Sequence, residues 1–470
     1  MTSDDAEKST LEVPPLDAIV LAAGRGTRMK SRLPKVLHAV LGRSMVGHVL
    51  ATVDQLGIDE TIVVADPASA ERLTAETTAA VAIQCLPLGT ADAVAIGIEK
   101  LQRRDGNVLI LNADVPLIRP ESLRRLLDHH HASNALLTFA TFPAPAGASY
   151  GRVLRREGRV AGVREAAEDQ HDRAEGFEAN GGVYCFNLAW LRDNVGDVRV
   201  SSSGEYYVTQ LVALAARAAD CAGGVETVKI DAAELLGVDD RLRLAQAEAL
   251  LRRRILDAHM RAGVTIVDPE RTVIEPGVRL CADVTIEPGC FLRGATTIGE
   301  GTIIGPYTII EDSTVGRDCT ILQSWVSGTT IGARVRVGPF ARLRPGTALD
   351  CDVFIGNFVE TKATSVGAGS DIHHVAYLGD AVLGTNVNIG AGTITCNYDG
   401  VRKHATIIGN DVFVGCDTML IAPVELGNGS RTGAGAVVTR SVPAGQTVVG
   451  VPARAHVTDG RAQSREEHGR

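Results

Sequence analysis

The hydrophobic rhythm of the chain changes once. From about residue 16 to 230, short apolar runs alternate with amphipathic stretches: AIVLAA, SMVGHVLATVDQLG, TIVVAD, then VAIQCL, ADAVAIGIEKLQRR and NVLILNAD. Strands buried on both faces read as continuous apolar runs, so this alternation predicts a parallel sheet with helices on either side. Ligands of such sheets gather at the carboxyl ends of the strands. Two candidate sites follow, the glycine turn after Ala23 and Asp114 at the end of NVLILNAD. Residues 239–263 place Leu244, Ala247, Leu251, Ile255 and Ala258 on one helical stripe that closes at Gly263, which predicts a linking helix.

Beyond that helix the period becomes six. Ile274, Leu280, Ile286, Leu292, Ile298 and Ile304 recur at this interval, as do Ile331, Val337, Leu343, Leu349 and Ile355, and again Ile408, Val414, Leu420, Leu426, Thr432 and Val438. Glycine often follows directly, as at Gly299, Gly305, Gly332 and Gly415. A six-residue repeat sustained over about 175 residues predicts a parallel β-helix, with the aliphatic residue inside and glycine permitting the turn. The hexapeptide coil winds left-handed, against the usual crossover rule. A sandwich of short strands does not hold so constant a register. The register slips at 305–330 and 361–407, where loops or inserted turns are expected and a site would sit.

Composition narrows the function. A net charge of −9 argues against a general nucleic-acid binder. The nine cysteines are scattered without a C-x-x-C pair, which suits reduced thiols in the cytoplasm. The start MTSDDAEKST is acidic and polar where a signal peptide would be basic and then apolar, and no apolar run approaches the length of a membrane span, so neither secretion nor membrane insertion is expected. Residues 1–15 and 456–470 are expected to be flexible ends.

The turn LAAGRGTRM departs from both common phosphate-binding fingerprints. No Gly-Lys-Ser/Thr follows it, and Met29 stands at the third glycine position of the dinucleotide motif. What remains is a strand, a turn at Gly24 and Gly26 that bares backbone amides, then Arg28 and Lys35. That set suits a triphosphate, or it is an ordinary strand-to-helix turn with two surface cations. Asp114 is likewise either a metal ligand or a strand-end turn residue.

LAAGRGTRM followed by LPK resembles the signature of sugar-1-phosphate nucleotidyltransferases. With the β-helix behind it, residues 16–455 resemble the bifunctional N-acetylglucosamine-1-phosphate uridyltransferase/glucosamine-1-phosphate acetyltransferase family. The resemblance implies an α/β fold: a Rossmann-like nucleotidyltransferase domain at 16–238, a linking helix at 239–263 and a left-handed β-helix at 264–455. It implies that Gly24, Arg28 and Lys35 hold the UTP phosphates, that Gln84 with Gly89 reads uracil, that Gly151, Glu165 and Asn180 hold the sugar, and that Ala22, Ala23 and Thr90 belong to the same nucleotide-sugar site. Asp114 and Asp239 would bind Mg²⁺. This sequence carries Asp239 where Asn is common in the family, Ala113 for Gly, Asn112 for Tyr and Pro87 for Gln. The sugar phosphate is itself an anionic nucleophile, so uridylyl transfer needs cations rather than a general base.

The segments ARLRPG, GNFVETK, IHHVAYLGD, NIGAGTITCNYDG and VFVGCDTML resemble the acetyltransferase half. By that resemblance His374 is the general base, oriented by Glu360. Arg344, Lys362, Tyr377 and Asn388 would bind glucosamine-1-phosphate, and Ala391, Asn397, Tyr398, Lys403, Cys416 and Ala434 would line the acetyl-CoA path. Imidazole suits a base working near neutrality. Cys416 replaces a common Ser, and VVGVPAR replaces an arginine-bearing segment. The resemblance also implies a homotrimer, with UTP, acetyl-CoA, glucosamine-1-phosphate and N-acetylglucosamine-1-phosphate as small-molecule partners, and neither nucleic acid nor membrane. Retained Lys35, Asp114, Arg344, Lys362 and His374 favour two reactions over a single-activity pyrophosphorylase with a structural β-helix, and over a non-catalytic assembly protein. The triplet His129-His130-His131 reads as a solvated helix end rather than a metal site, since adjacent helical residues point apart.

Overall fold

The computed structural model describes residues 14–24, 26–168, 175–218 and 224–456. The flexible ends expected at 1–15 and 456–470 lie almost wholly outside the described residues. The chain divides into two compact units, Met1–Leu251 and Arg252–Arg470.

The first unit is a nine-stranded sheet with helices on both faces. Its strands are β1 (Leu16–Ala22), β2 and β3 (Ala39–Val40 and Arg43–Ser44, a separate small hairpin), β4 (Thr61–Ala65), β5 (Ala80–Ile83), β6 (Asn107–Asn112), β7 (Leu137–Ala144), β8 (Arg152–Arg156), β9 (Arg159–Arg164), β10 (Phe177–Asn187) and β11 (Val225–Lys229). The helices are α1 (Met45–Val53), α2 (Pro67–Glu76), α3 (Thr90–Lys100), α4 (Pro120–Ser133), α5 (Leu188–Asn194), α6 (Gln210–Ala218) and α7 (Arg241–Arg261). The sheet order is β11-β7-β10-β6-β1-β4-β5. Alternate residues of one strand feed two cores: Ala18, Val20 and Ala22 face one, Ile19 the other, and Leu109 and Leu111 oppose Val108 and Ile110 in the same way. This two-sided burial is why these strands read as unbroken apolar runs.

The sheet is not all parallel. β10 runs antiparallel to both β6 and β7. The antiparallel hairpin β8–β9 precedes it, and β10 also pairs with β8, so the chain turns back here without the helical crossover that parallel pairing needs.

The histidine triplet is not a solvated end throughout. It occupies the last turns of α4, and His130 is buried, with Nδ1 2.9 Å from Thr138 Oγ1 and Nε2 3.2 Å from Asn107 Oδ1. Burial, reinforced by His131 and His129, pushes its pKa down to about 4. The fold accepts the neutral ring, so His130 supports stability above about pH 6.5 and that support is lost as pH falls toward 4. The shift corresponds to about 3 kcal/mol at most. Urea midpoints of the full chain should fall between pH 7 and 4.5, and His130→Asn should flatten that dependence; an equal slope in the variant contradicts the assignment.

In the second unit every third strand up to Val438 pairs in parallel, giving a three-sided prism with sheets of 12, 10 and 9 strands; only the final strand pairing, of Val448 with Ala455, is antiparallel among the described residues. One continuous core runs from Leu256 and Val264 to Val448 and contains the six-residue aliphatic positions, with Leu280 partly buried against it. In α7 Leu256 reaches this core, while Ala258 of the expected stripe is exposed. At 305–330 no loop is inserted. Ile304, Ile310, Val315, Ile321, Val326 and Ile331 stay buried, and the slip comes from sides shortened to five residues. The coil lengths shrink to match: Thr285 pairs with Ile303, Ile303 with Thr320, and Thr320 with Arg336. The second slip does contain an insertion, 397–405, closed by a bridge between Tyr398 and Lys403.

Glycine after the aliphatic position has two explanations. Gly305 (φ 146°) and Gly338 (φ 98°) take the backbone that the turn reading expects. Gly299 has no left-handed backbone; a Cβ there would lie 2.6 Å from the carbonyl carbon of Gly316 in the next coil, so close stacking of backbone on backbone demands glycine.

Candidate active sites

The first site lies at the carboxyl ends of β1 and β6, where parallel strands leave their ligand crevice. A cavity of about 550 Å³ is lined by Ala23, Gly24, Lys35, Gln84, Pro87, Gly89, Thr90, Asn112 and Asp114, among others. A second, of about 570 Å³, shares Thr90, Asn112 and Asp114 and adds Arg28, Gly151, Glu165, Asn180 and Asp239. Every residue expected for nucleotide and sugar therefore meets one of two adjoining cavities, except Ala22, which is buried in β1.

The glycine turn sets Lys35. Gly26 has φ 56°, and a Cβ on it would sit 2.4 Å from Lys35 Cβ. Lys35 Nζ reaches Asp114 Oδ2 at 2.5 Å and Asp239 Oδ1 at 3.4 Å, and Arg28 lies 3.3 Å from Asp239 Oδ2. Burial works to lower the Lys35 pKa, but Asp114 and Asp239 together outweigh it and hold the ammonium above its usual value. Gly26→Ala combines a left-handed backbone with a steric clash against the lysine stem, a cost of about 1–3 kcal/mol. The expected outcome is at least a tenfold loss of kcat/KM for the reaction at this site, about 1.4 kcal/mol, with any reaction on the second unit unchanged.

Gln84 is 5% exposed, and its amide donates to Gly89 O (3.1 Å) and Asp92 Oδ2 (2.7 Å), which fixes the rim residue Gly89. In the neighbouring cavity Thr209 Oγ1 donates to Glu165 Oε1 at 2.6 Å, while burial raises the carboxyl pKa. Asn180 is held through its backbone N–H to Gly151 O and its side chain to Tyr184 OH. Arg243, which donates to Tyr150 OH, also lines this cavity; nothing in the sequence pattern had marked that pair.

Asp114 and Asp239 converge on one cation. Among the described residues no group of three or more His, Cys, Asp or Glu could hold a metal. Two hard carboxylates beside a cavity of about 550 Å³ do fit Mg²⁺, which takes one or two carboxylates and completes its shell with phosphate oxygens and water.

The second site lies on the prism. His374, Ala391, Cys416 and Ala434 follow one another up a single corner, linked coil to coil by Gly392 N–H to Val375 O, Asp417 N–H to Ala391 O and Gly435 N–H to Cys416 O. Asn388 lies on the sheet that ends at this corner. Glu360 and Tyr377 are paired on the adjoining face. Arg344, Lys362, Asn397 and the Tyr398–Lys403 loop border the far edge of that face. At about 3.3 Å per residue this face is on the order of 10 Å wide.

The expected pairing of Glu360 with His374 is not present. Glu360 Oε1 accepts from Arg344 at 3.0 Å. His374 Nδ1 instead lies 2.6 Å from Asn357 Oδ1, its register partner on the preceding coil. An amide oxygen only accepts, so Nδ1 carries the proton and Nε2 is left as the acceptor. Asp380 is the other residue the sequence reading passed over: its carboxylate meets Lys362 Nζ at 3.4 Å and the Asn397 amide at 2.5 Å. Both lie inside segments already singled out, GNFVETK and AYLGD. Lys403 stands against Lys362, and the contact with that like charge pushes the Lys403 pKa down.

The described cysteines are all free thiols, and no described helix is long and apolar enough to cross a membrane. Residues 18–176 match the MobA-like NTP transferase domain, and residues 405–440 match the bacterial transferase hexapeptide (six repeats). Together with the two sites, these define a nucleotidyltransferase joined to a left-handed hexapeptide-repeat transferase. The chain is 44% identical over 440 residues to the bifunctional protein GlmU of Pelobacter propionicus, covering 92% of this chain and 95% of that protein. It is 42% identical to the GlmU of Trichlorobacter lovleyi (91% and 94% covered) and 40% identical to that of Staphylococcus haemolyticus (91% and 95%). The chain belongs to the bifunctional GlmU family.

Proposed function

We propose that the chain makes UDP-N-acetylglucosamine in two steps. Acetyl transfer from acetyl-CoA to glucosamine-1-phosphate takes place on residues 264–455. Uridylyl transfer from UTP to the resulting N-acetylglucosamine-1-phosphate, releasing pyrophosphate, takes place on residues 16–238, and residues 239–263 link the two. The observation that supports this reading is the coexistence in one chain of two clusters of suitable chemistry, Lys35–Asp114–Asp239 and the His374 corner.

In the first step Nε2 of His374 takes the proton from the 2-amino group as it attacks the thioester carbonyl, and Asn357 holds the ring in the tautomer that can do so. Arg344 and Lys362 supply positive charge for the sugar phosphate, and Tyr377 and Asn388 hold the rest of glucosamine. Ala391, Cys416 and Ala434, with Asn397, Tyr398 and Lys403, border the path for acetyl-CoA. In the second step the amides at Gly24 and the cations Arg28 and Lys35 receive the triphosphate, Gln84 and Gly89 the uracil, and Gly151, Glu165 and Asn180 the amino sugar. Asp114 and Asp239 would hold Mg²⁺, which when bound neutralises charge on the phosphate oxygens. Lys35 and Arg28 stabilise the charge that builds between attacking oxygen, phosphorus and departing pyrophosphate.

The reading extends to a cytoplasmic homotrimer. Phe340 and Phe358 stack at 5.4 Å on the corner that also carries His374, yet stand 52% and 59% exposed. An apolar ridge of this kind supports side-by-side association. The function is tested by two assays on the wild-type chain: CoA release with glucosamine-1-phosphate, and pyrophosphate release from UTP with N-acetylglucosamine-1-phosphate. Both should occur; absence of CoA release would reduce the chain to a single-activity pyrophosphorylase.

A further inference from the structure

We propose that Lys35 has a second role as the resident counter-ion of Asp114 and Asp239, so that the divalent-cation site forms only when a nucleoside triphosphate draws the ammonium away. The proposal rests on the reading of those two carboxylates as metal ligands. Lys35 Nζ contacts both carboxylates, at 2.5 and 3.4 Å, and therefore stands at the point on which they converge. The three side chains are 12%, 20% and 29% exposed, so the cluster is screened only partly by solvent. Arg28 adds a second cation at 3.3 Å from Asp239.

A divalent ion needs the same oxygens. It cannot share them with an ammonium at contact distance, because like charges in a half-buried site repel strongly. The stem of Lys35 lies against Gly26, where a Cβ would come within 2.4 Å of its own, and its head is held by the two carboxylates. Rotation about the outer bonds would turn Nζ from the carboxylates toward the cavity that Gly24 and Lys35 both line. A triphosphate in that cavity offers the ammonium replacement anions and leaves Asp114 and Asp239 bare. Metal and nucleotide then bind together, and the nucleotide-free protein resists metal loading.

Binding of Mn²⁺ to the full chain without nucleotide, followed by electron paramagnetic resonance, tests this. Lys35→Met should bind Mn²⁺ at least about tenfold more tightly than wild type. Lys35→Arg, which keeps a cation, should bind it as weakly as wild type, and thermal unfolding should show all variants folded. The gain should vanish in Lys35→Met/Asp114→Ala. If wild type and Lys35→Met bind equally tightly and Asp114→Ala abolishes both, the counter-ion role is overturned and the metal ligands stand. A gain that survives in the double variant puts the metal elsewhere and overturns the ligand assignment as well.

Discussion

Asp114→Ala should lower the rate of pyrophosphate release by about 10³-fold while leaving CoA release within about twofold. Asp114 closes β6 at the junction of both cavities and is the nearer of the two carboxylates to Lys35. Removing it deletes one of two oxygen donors and leaves Lys35 without its closest partner. A loss of about 3–4 kcal/mol of transition-state stabilisation is the usual scale for one preorganised electrostatic group. KM for UTP should change less than kcat, because Lys35, Arg28 and the turn amides still receive the triphosphate. A variant with normal kcat would remove Asp114 from the chemistry.

His374→Ala should lower acetyl transfer by about 10²- to 10⁴-fold, the range for loss of a positioned general base, and leave pyrophosphate release untouched. The corner geometry adds a second, graded outcome. Asn357→Ala keeps the imidazole but frees its tautomer, so its loss should be smaller, and Asn357→Asp should shift the pH–rate profile of acetyl transfer because a carboxylate favours the protonated ring. Glu360→Gln, by contrast, should act mainly on glucosamine-1-phosphate KM through Arg344. If Glu360→Gln alters the pH profile and Asn357→Asp does not, the orienting residue is Glu360 after all.

Much of this was legible in the chain because burial leaves a period. The inward positions of the prism repeat every six residues, and strands buried on two faces read as apolar runs. What stayed hidden depends on contacts between residues far apart in sequence. The reversal of β10 is set by which neighbours it joins, and no periodicity reports that. The Asn357–His374 pair spans one coil, so it depends on a coil length that the five-residue sides change. His130 looked like its neighbours in the triplet, yet only the ring facing β6 and β7 is buried. At the first site the residue types were readable from strand ends, whereas the bridging of Asp114 and Asp239 by Lys35 joins three elements and emerges only from the fold.

The two proposed reactions run in sequence, and if N-acetylglucosamine-1-phosphate is released between them the sites can reside on different molecules. Mixing Asp114→Ala protein with His374→Ala protein, in the presence of glucosamine-1-phosphate, acetyl-CoA and UTP, is the test. Neither variant alone should form UDP-N-acetylglucosamine at an appreciable rate, and the mixture should restore it. A variant that completes both steps unaided, or a mixture that stays inactive although each partner keeps its other half-reaction, would contradict the account.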